Sequence, residues 1–316
     1  MKTEWYVSFH GGGDRRELNN IHVYSRTGRE LRKALDVEHL PTKLDLRELR
    51  AYLFGPDNYL YVANAYREYS QVLRFRRRRD RHGQHRFHDV FVESHQISNP
   101  GLSHPFALAF DRTGNLLVSS QNTSLVLRYY GPAAGKHLAG KPMPPAWGLL
   151  RNSTAALAPG TFCASARQVK NGLKVVRGIV LARGKLYVAD RARSCVNKLD
   201  PVTGADCGCL VHPLLLNKPI HLAAFGDTLY IGNRGNESVV KCDLRTERLT
   251  LFIPPKAGGL NNPSGLAFGN DGYIYVASRG SRQILRYRLE DGTPDRRPFL
   301  DHLQDEPQFI SAIRRH

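Results

Sequence analysis

The chain has 316 residues, 41% of them hydrophobic, and 46 basic against 28 acidic residues give it a formal charge of +18. That length suits one large domain with ample chain to bury a core. No apolar stretch is long enough to span a bilayer, and the start, Met1-Lys2-Thr3-Glu4-Trp5, has no apolar signal region, so a cytoplasmic or already processed protein without membrane contact is expected.

One strand-like run ending in small or polar residues recurs six times: Trp5-Tyr6-Val7-Ser8, Leu60-Tyr61-Val62-Ala63-Asn64, Leu116-Leu117-Val118-Ser119-Ser120, Leu186-Tyr187-Val188-Ala189-Asp190, Leu229-Tyr230-Ile231-Gly232-Asn233 and Ile274-Tyr275-Val276-Ala277-Ser278. Most copies follow an apolar segment and a turn rich in Asn, Asp and Gly, as in Pro105–Phe110 before Asp111–Asn115. Such residues supply the backbone angles of a tight hairpin. A third, alternating run follows, such as Val72-Leu73-Arg74-Phe75 or Ile284-Leu285-Arg286-Tyr287. Its period of two fits a strand packed on one side. A fourth run is weaker, as at Leu249–Ile253, and only 29–35 and 44–53 leave helix or strand open. Repeats of about 40 to 50 residues, each able to form a four-stranded sheet, predict an all-β, six-bladed β-propeller. The opening blade lacks an inner strand, and Pro307–Ile313 has that pattern, so the C-terminal strand is expected to complete blade 1 and close the ring.

The chain resembles six-bladed propellers of the NHL type, on Tyr187-Val188-Ala189-Asp190-Arg191 and the upstream Pro263-Ser264-Gly265-Leu266-Ala267. The resemblance runs over nearly the whole length and concerns fold more than function. By analogy with such folds, the starts of inner strands and the ends of second strands share the face that holds a ligand funnel. The first ring brings Arg50, His104 with Phe106, Arg177, Ile220 with His221, Ser264 and Gln308. The second brings His10, Asn64, Gln121 with Asn122, Asp190 with Arg191, Asn233 with Arg234, and Ser278 with Arg279.

Related propellers give three enzyme readings. The gluconolactonase-like group holds a divalent metal with Glu, Asn and Asp, and here Arg50, Arg177, Phe106 and Ser264 fill the matching positions, where arginines oppose a metal. The peptide-amidating lyase uses histidines around zinc, which His104, His221 and His10 could imitate, so a divalent metal is open but not favoured. The virginiamycin-type lyase uses a His and Glu pair, for which no matching element is found. His104 or His221 with Asp190, assisted by His10, are the acid/base candidates. Arg50 and Arg177, with Arg191, Arg234 and Arg279 at the mouth, are the candidate clamp, and Asn64, Gln121 and Asn233 further ligand contacts.

His10-Gly11-Gly12-Gly13-Asp14 lacks the Gly-x-Ser-x-Gly partner of a lipase and reads as a mobile loop at the funnel mouth. The long stretch 131–174 is expected to follow the outer strand of blade 3 on the funnel side, as a lid. Cys207-Gly208-Cys209 is the one close pair among five cysteines and reads as structural. Arg74-Phe75-Arg76-Arg77-Arg78-Arg79-Asp80-Arg81-His82 reads as a solvated hairpin at the outer edge. Of the basic residues 34 are arginines, whose planar fork suits carboxylates and phosphates. The expected function is therefore a monomeric enzyme or ligand binder of lyase or hydrolase kind, acting on an anionic or polar small molecule. The alternative is a non-catalytic scaffold binding RNA or an acidic protein.

Overall fold

The computed structural model describes residues 3–11, 18–66, 70–93, 97–146, 156–170 and 172–314. Six antiparallel sheets form a ring, each running from an inner to an outer strand. Blade 1 contains β1 (Thr3–Phe9), β2 (Ile21–Tyr24) and β3 (Glu30–Lys33). Blade 2 has β4 (Leu49–Phe54), β5 (Leu60–Asn64), β6 (Gln71–Arg79) and β7 (His85–Val92), and blade 3 has β8 (Pro105–Phe110), β9 (Leu116–Ser120), β10 (Leu125–Tyr129) and β11 (Thr161–Cys163). Blade 4 has β12 (Val176–Ala182), β13 (Lys185–Asp190), β14 (Cys195–Leu199) and β15 (Asp206–Val211). Blade 5 has β16 (Pro219–Phe225), β17 (Thr228–Asn233), β18 (Ser238–Asp243) and β19 (Leu249–Ile253). Blade 6 has β20 (Pro263–Phe268), β21 (Tyr273–Ser278) and β22 (Gln283–Arg288). Its outer edge is covered by irregular backbone that bonds through Arg288 N–H to Thr293 O and Phe299 N–H to Ile284 O.

The final strand, β23 (Pro307–Arg314), pairs antiparallel with β1 as the inner strand of blade 1. Each inner strand packs on the next around the ring, and β20 meets β23 to close it. Trp5 of blade 1 lies 3.9 Å from the Tyr275 ring of blade 6 and 5.6 Å from Phe299, so the seam is sealed by aromatic packing. The open stretches 29–35 and 44–53 contain β3 and β4.

The repeated second strands β5 and β9 are buried from end to end, because a sheet lies on either face of each. Outer strands such as β3 and β15 are largely exposed. Turns between inner and second strands use the predicted chemistry. Asp111 accepts from the Thr113 and Asn115 N–H groups at 2.9 Å each, and Gly114 takes φ +82°. Inner strands approach closely where they carry glycine: a Cβ on Gly178 would lie 3.0 Å from Ile220 O, and one on Gly265 2.8 Å from Ile310 N.

The long stretch of blade 3 is placed differently from expectation. Most of it precedes β11 rather than following it, so it leaves on the face opposite the starts of the inner strands. There Gly131 lies against Gly114 O at the β8–β9 turn, and Gly140 against Phe91 O of blade 2. The described part does not form a lid over the funnel face; residues 147–155, including Trp147, and Asn171 lie outside the described residues. Among the described residues no helix is long and apolar enough to cross a membrane.

Candidate functional site: an arginine-lined cup on the ring axis

Two positions repeat around one face and are joined in each blade by a backbone bond. The first residue of each turn after the second strand donates its N–H to a residue just ahead of the inner strand. The pairs are His10 to Glu306 O (2.9 Å), Gln121 to His104 O (3.1 Å), Arg191 to Val175 O (2.9 Å), Arg234 to Lys218 O (3.2 Å) and Arg279 to Asn262 O (3.2 Å); in blade 2, Ala65 donates to Arg47 O (3.3 Å). Arg191, Arg234 and Arg279 thus hold one register position in three successive blades. The cationic side of the mouth is blades 4 to 6, and the acids Glu48 and Glu306 enter from blades 2 and 1. Glu48, His104, Lys218 and Asn262 share left-handed φ values of 48°, 59°, 50° and 53°, the bend that turns the chain into the inner strand.

Beneath the mouth, the inner strands carry Arg50, Phe106, Arg177, His221, Ser264 and Gln308, all buried. Phe309 of blade 1 is 5.4 Å from Phe106 of blade 3 and 4.7 Å from His221 of blade 5. Rings from three alternate blades therefore meet at the axis and form a floor. The Arg177 guanidinium lies 5.7 Å from the Phe106 ring centroid and donates to Val176 O at 2.9 Å. Ser264 is turned to the backbone, donating to Pro307 O and Gln308 O.

Five arginines share this cup, and two have acidic partners: Arg50 with Glu48 at 2.7 Å, and Arg279 with Glu306. Arg177 feels the guanidiniums of Arg191, Arg50 and Arg234 and forms no ion pair with a carboxylate among the described residues; burial and then these charges push its pKa down to about 9. Burial, then Arg279 and Arg191, lower Arg234 as well, with Glu306 opposing. Arg50 falls to about 10, through burial that outweighs Glu48.

His10, His104 and His221 are each driven toward the neutral form. His10 falls to about 4 through burial and then Arg50 and Arg279; His104 to about 3 through burial, Arg50, Arg177 and His10; His221 to about 4 through burial. Nε2 of His104 lies 3.2 Å from Arg50 Nη2 and 3.6 Å from Glu48 Oε2. Arginine only donates, so Nε2 must accept and the proton must sit on Nδ1. His104 consequently carries its remaining N–H on Nδ1, while its lone pair is already occupied.

The proposed residues at the ends of second strands are engaged elsewhere. Asp190 receives the Lys174 N–H at 2.8 Å and the Val175 N–H at 3.1 Å, one on each oxygen. Asn64 receives the Arg47 N–H and donates to Asp45 O; Asn233 receives the Asn217 N–H and donates to Leu215 O; Ser278 receives the Asn261 N–H. These side chains pin the segment that leads into each inner strand. Asp190 is fully buried and bonds to neither His104 nor His221 among the described residues. Gln121 stands at the mouth by register. The glycines beyond Gly11 in the loop from His10 lie outside the described residues; Gly11 itself donates to Asp305 at 2.8 Å.

Sequence reasoning missed Glu48 and Glu306. Their signal was position, immediately ahead of an inner strand that follows with Arg50 or Gln308. Among the described residues no group of three His, Cys, Asp or Glu could hold a metal ion, so His10, His104 and His221 do not assemble a zinc site there. The five cysteines are free. In the arginine run, Arg74 pairs with Asp57 and Asp89, Arg79 with Glu4, and Arg77 covers the Phe54 ring at 4.9 Å, while Arg76, Arg78 and Arg81 are exposed.

No family model matches the chain, and no curated protein matches it in sequence. Solved structures match its fold. A chain of the nidogen/laminin complex is 14% identical with a TM-score of 0.65, with 98% of each chain covered. The virginiamycin B lyase of Staphylococcus aureus is 12% identical with a TM-score of 0.59, with 97% of this chain and 84% of that one covered. At these identities the likeness concerns the propeller fold.

Proposed function

We propose that the protein is a binding propeller that holds a small organic anion in the cup above Phe106, His221 and Phe309. The observation that carries this reading is Arg177, a buried guanidinium that feels the charge of three others and forms no ion pair among the described residues. Like charges held together in a partly desolvated site raise the energy of the empty state, and an anion removes that cost while gaining charge-assisted hydrogen bonds. The Nδ1–H of His104 adds a donor. The same geometry argues for binding over proton transfer. His104 has its lone pair on Arg50, Asp190 is committed to backbone, and His221 is packed on Phe309. We retain the NHL type as part of this proposal, on the repeat motif around Tyr187. Nidogen/laminin and virginiamycin B lyase propellers are compatible with either a protein partner or a small molecule on this fold.

A thermal-shift panel of organic and inorganic anions at constant ionic strength tests the proposal, with Arg177→Met as control and an RNA homopolymer as a further arm. A small anion should raise the melting temperature of the wild type by several degrees and leave Arg177→Met unmoved. Shifts of equal size in both proteins, or a response confined to RNA and abolished by moderate salt, would overturn it.

A further inference from the structure

Resting on that reading, we infer that the ligand carries at least two separate anionic groups, one held at the base of the cup by Arg177 and the Nδ1–H of His104, the other held at the mouth by Arg191 and Arg234. The charge distribution has two levels. Arg177 belongs to inner strand β12 and stands over Phe106, next to the aromatic floor. Arg191 and Arg234 open the turns after β13 and β17, at the rim, where their backbone N–H groups bond to Val175 and Lys218. Arg50 and Arg279 are paired with Glu48 and Glu306, whereas Arg177, Arg191 and Arg234, on two levels, form no ion pair among the described residues, and Glu306 only partly offsets the charge around Arg234.

A monoanion at the base would relieve Arg177 and leave Arg191 and Arg234 facing each other's charge. An inorganic ion at the rim would leave Arg177 unanswered. An organic skeleton with anionic groups at two places satisfies both levels. Its body would meet Phe106 and Phe309. Carboxylates and phosphate esters offer the same recognition chemistry to arginine forks.

Calorimetry at constant ionic strength with propionate, succinate and propane-1,2,3-tricarboxylate, and with a propanediol bisphosphate as the phosphate arm, tests the inference. Affinity should rise about tenfold or more from one to two anionic groups, the size expected of one added charge-assisted contact. Arg191→Ala and Arg234→Ala should each remove most of that gain, so that succinate and the tricarboxylate bind each variant no more tightly than propionate does. If only the bisphosphate gains, the two-site inference stands with phosphate as the source. Equal affinity for propionate and the polyvalent acids would overturn the inference and leave the anion-binding proposal standing. If none of the anions binds, both fall.

Discussion

Arg50 donates through Nη2 to Nε2 of His104 at 3.2 Å, and this one contact fixes what the histidine can do. An imidazole whose lone pair is taken by a guanidinium presents its remaining nitrogen as a donor. His104 should therefore remain neutral, protonated on Nδ1, from pH 5 to 8, with titration at about 3. Nitrogen-detected NMR of the imidazole checks this, and a midpoint near the usual 6.5 would contradict it.

The same depressed histidines govern stability against pH. His85 and His221 each fall to about 4, both chiefly through burial. In the unfolded chain they protonate near 6.5. As pH falls below that value the unfolded state binds protons the folded state refuses, so the stability present above about pH 6.5 is lost as pH falls toward 4. The melting temperature should drop by several degrees between pH 7 and pH 5, and by less in His221→Phe, whose ring keeps the contact with Phe309 without a titrating group.

Arg177→Met should lose anion binding and raise the stability of the empty protein by about 1 kcal/mol. Removing one of four crowded guanidiniums relieves repulsion, offset in part by the lost bond to Val176 O. Chemical denaturation without added anion reads this. A destabilised Arg177→Met would show that the arginine is held by contacts rather than against its neighbours.

Much of the fold was legible because a propeller repeats its instructions. The buried second strand, the Asp and Gly turns and the inner-strand pattern at Pro307–Ile313 all carry a local signal. The placement of the candidate residues was legible in part. Arg50, Arg177, Arg191, Arg234 and Arg279 do gather on one face, because strand register alone brings them there. Asp190, Asn64 and Asn233 looked like site residues for a sound reason, polarity at a strand end, but a chain turning into a buried strand needs acceptors for its own N–H groups. Sequence does not say which need a polar residue serves. The side on which stretch 131–174 leaves depended on locating the three-residue strand β11, too short to give a pattern.

Asp190→Ala should therefore cost about 1 to 3 kcal/mol of stability, since it strands two partly buried backbone donors. Its anion affinity, measured well below the melting temperature, should stay within a few-fold of wild type. A stable Asp190→Ala protein with no anion binding would return Asp190 to the site.

Deleting residues after Glu306 removes β23, which pairs with β1 and packs against β20 and β4. The truncated chain exposes an edge of β1 and opens the ring. It should be aggregated or unfolded at 25 °C by circular dichroism and size-exclusion chromatography, whereas a soluble monomer with an unchanged melting temperature would refute the closure.

The most direct test is a crystal structure of the protein grown with propane-1,2,3-tricarboxylate. The account predicts density above the Phe106 and Phe309 rings, with one carboxylate on Arg177 and His104 Nδ1 and another on Arg191 and Arg234. An empty cup in crystals whose protein binds the acid in solution, or density seated instead on Arg76, Arg78 and Arg81 of the outer hairpin, would contradict it.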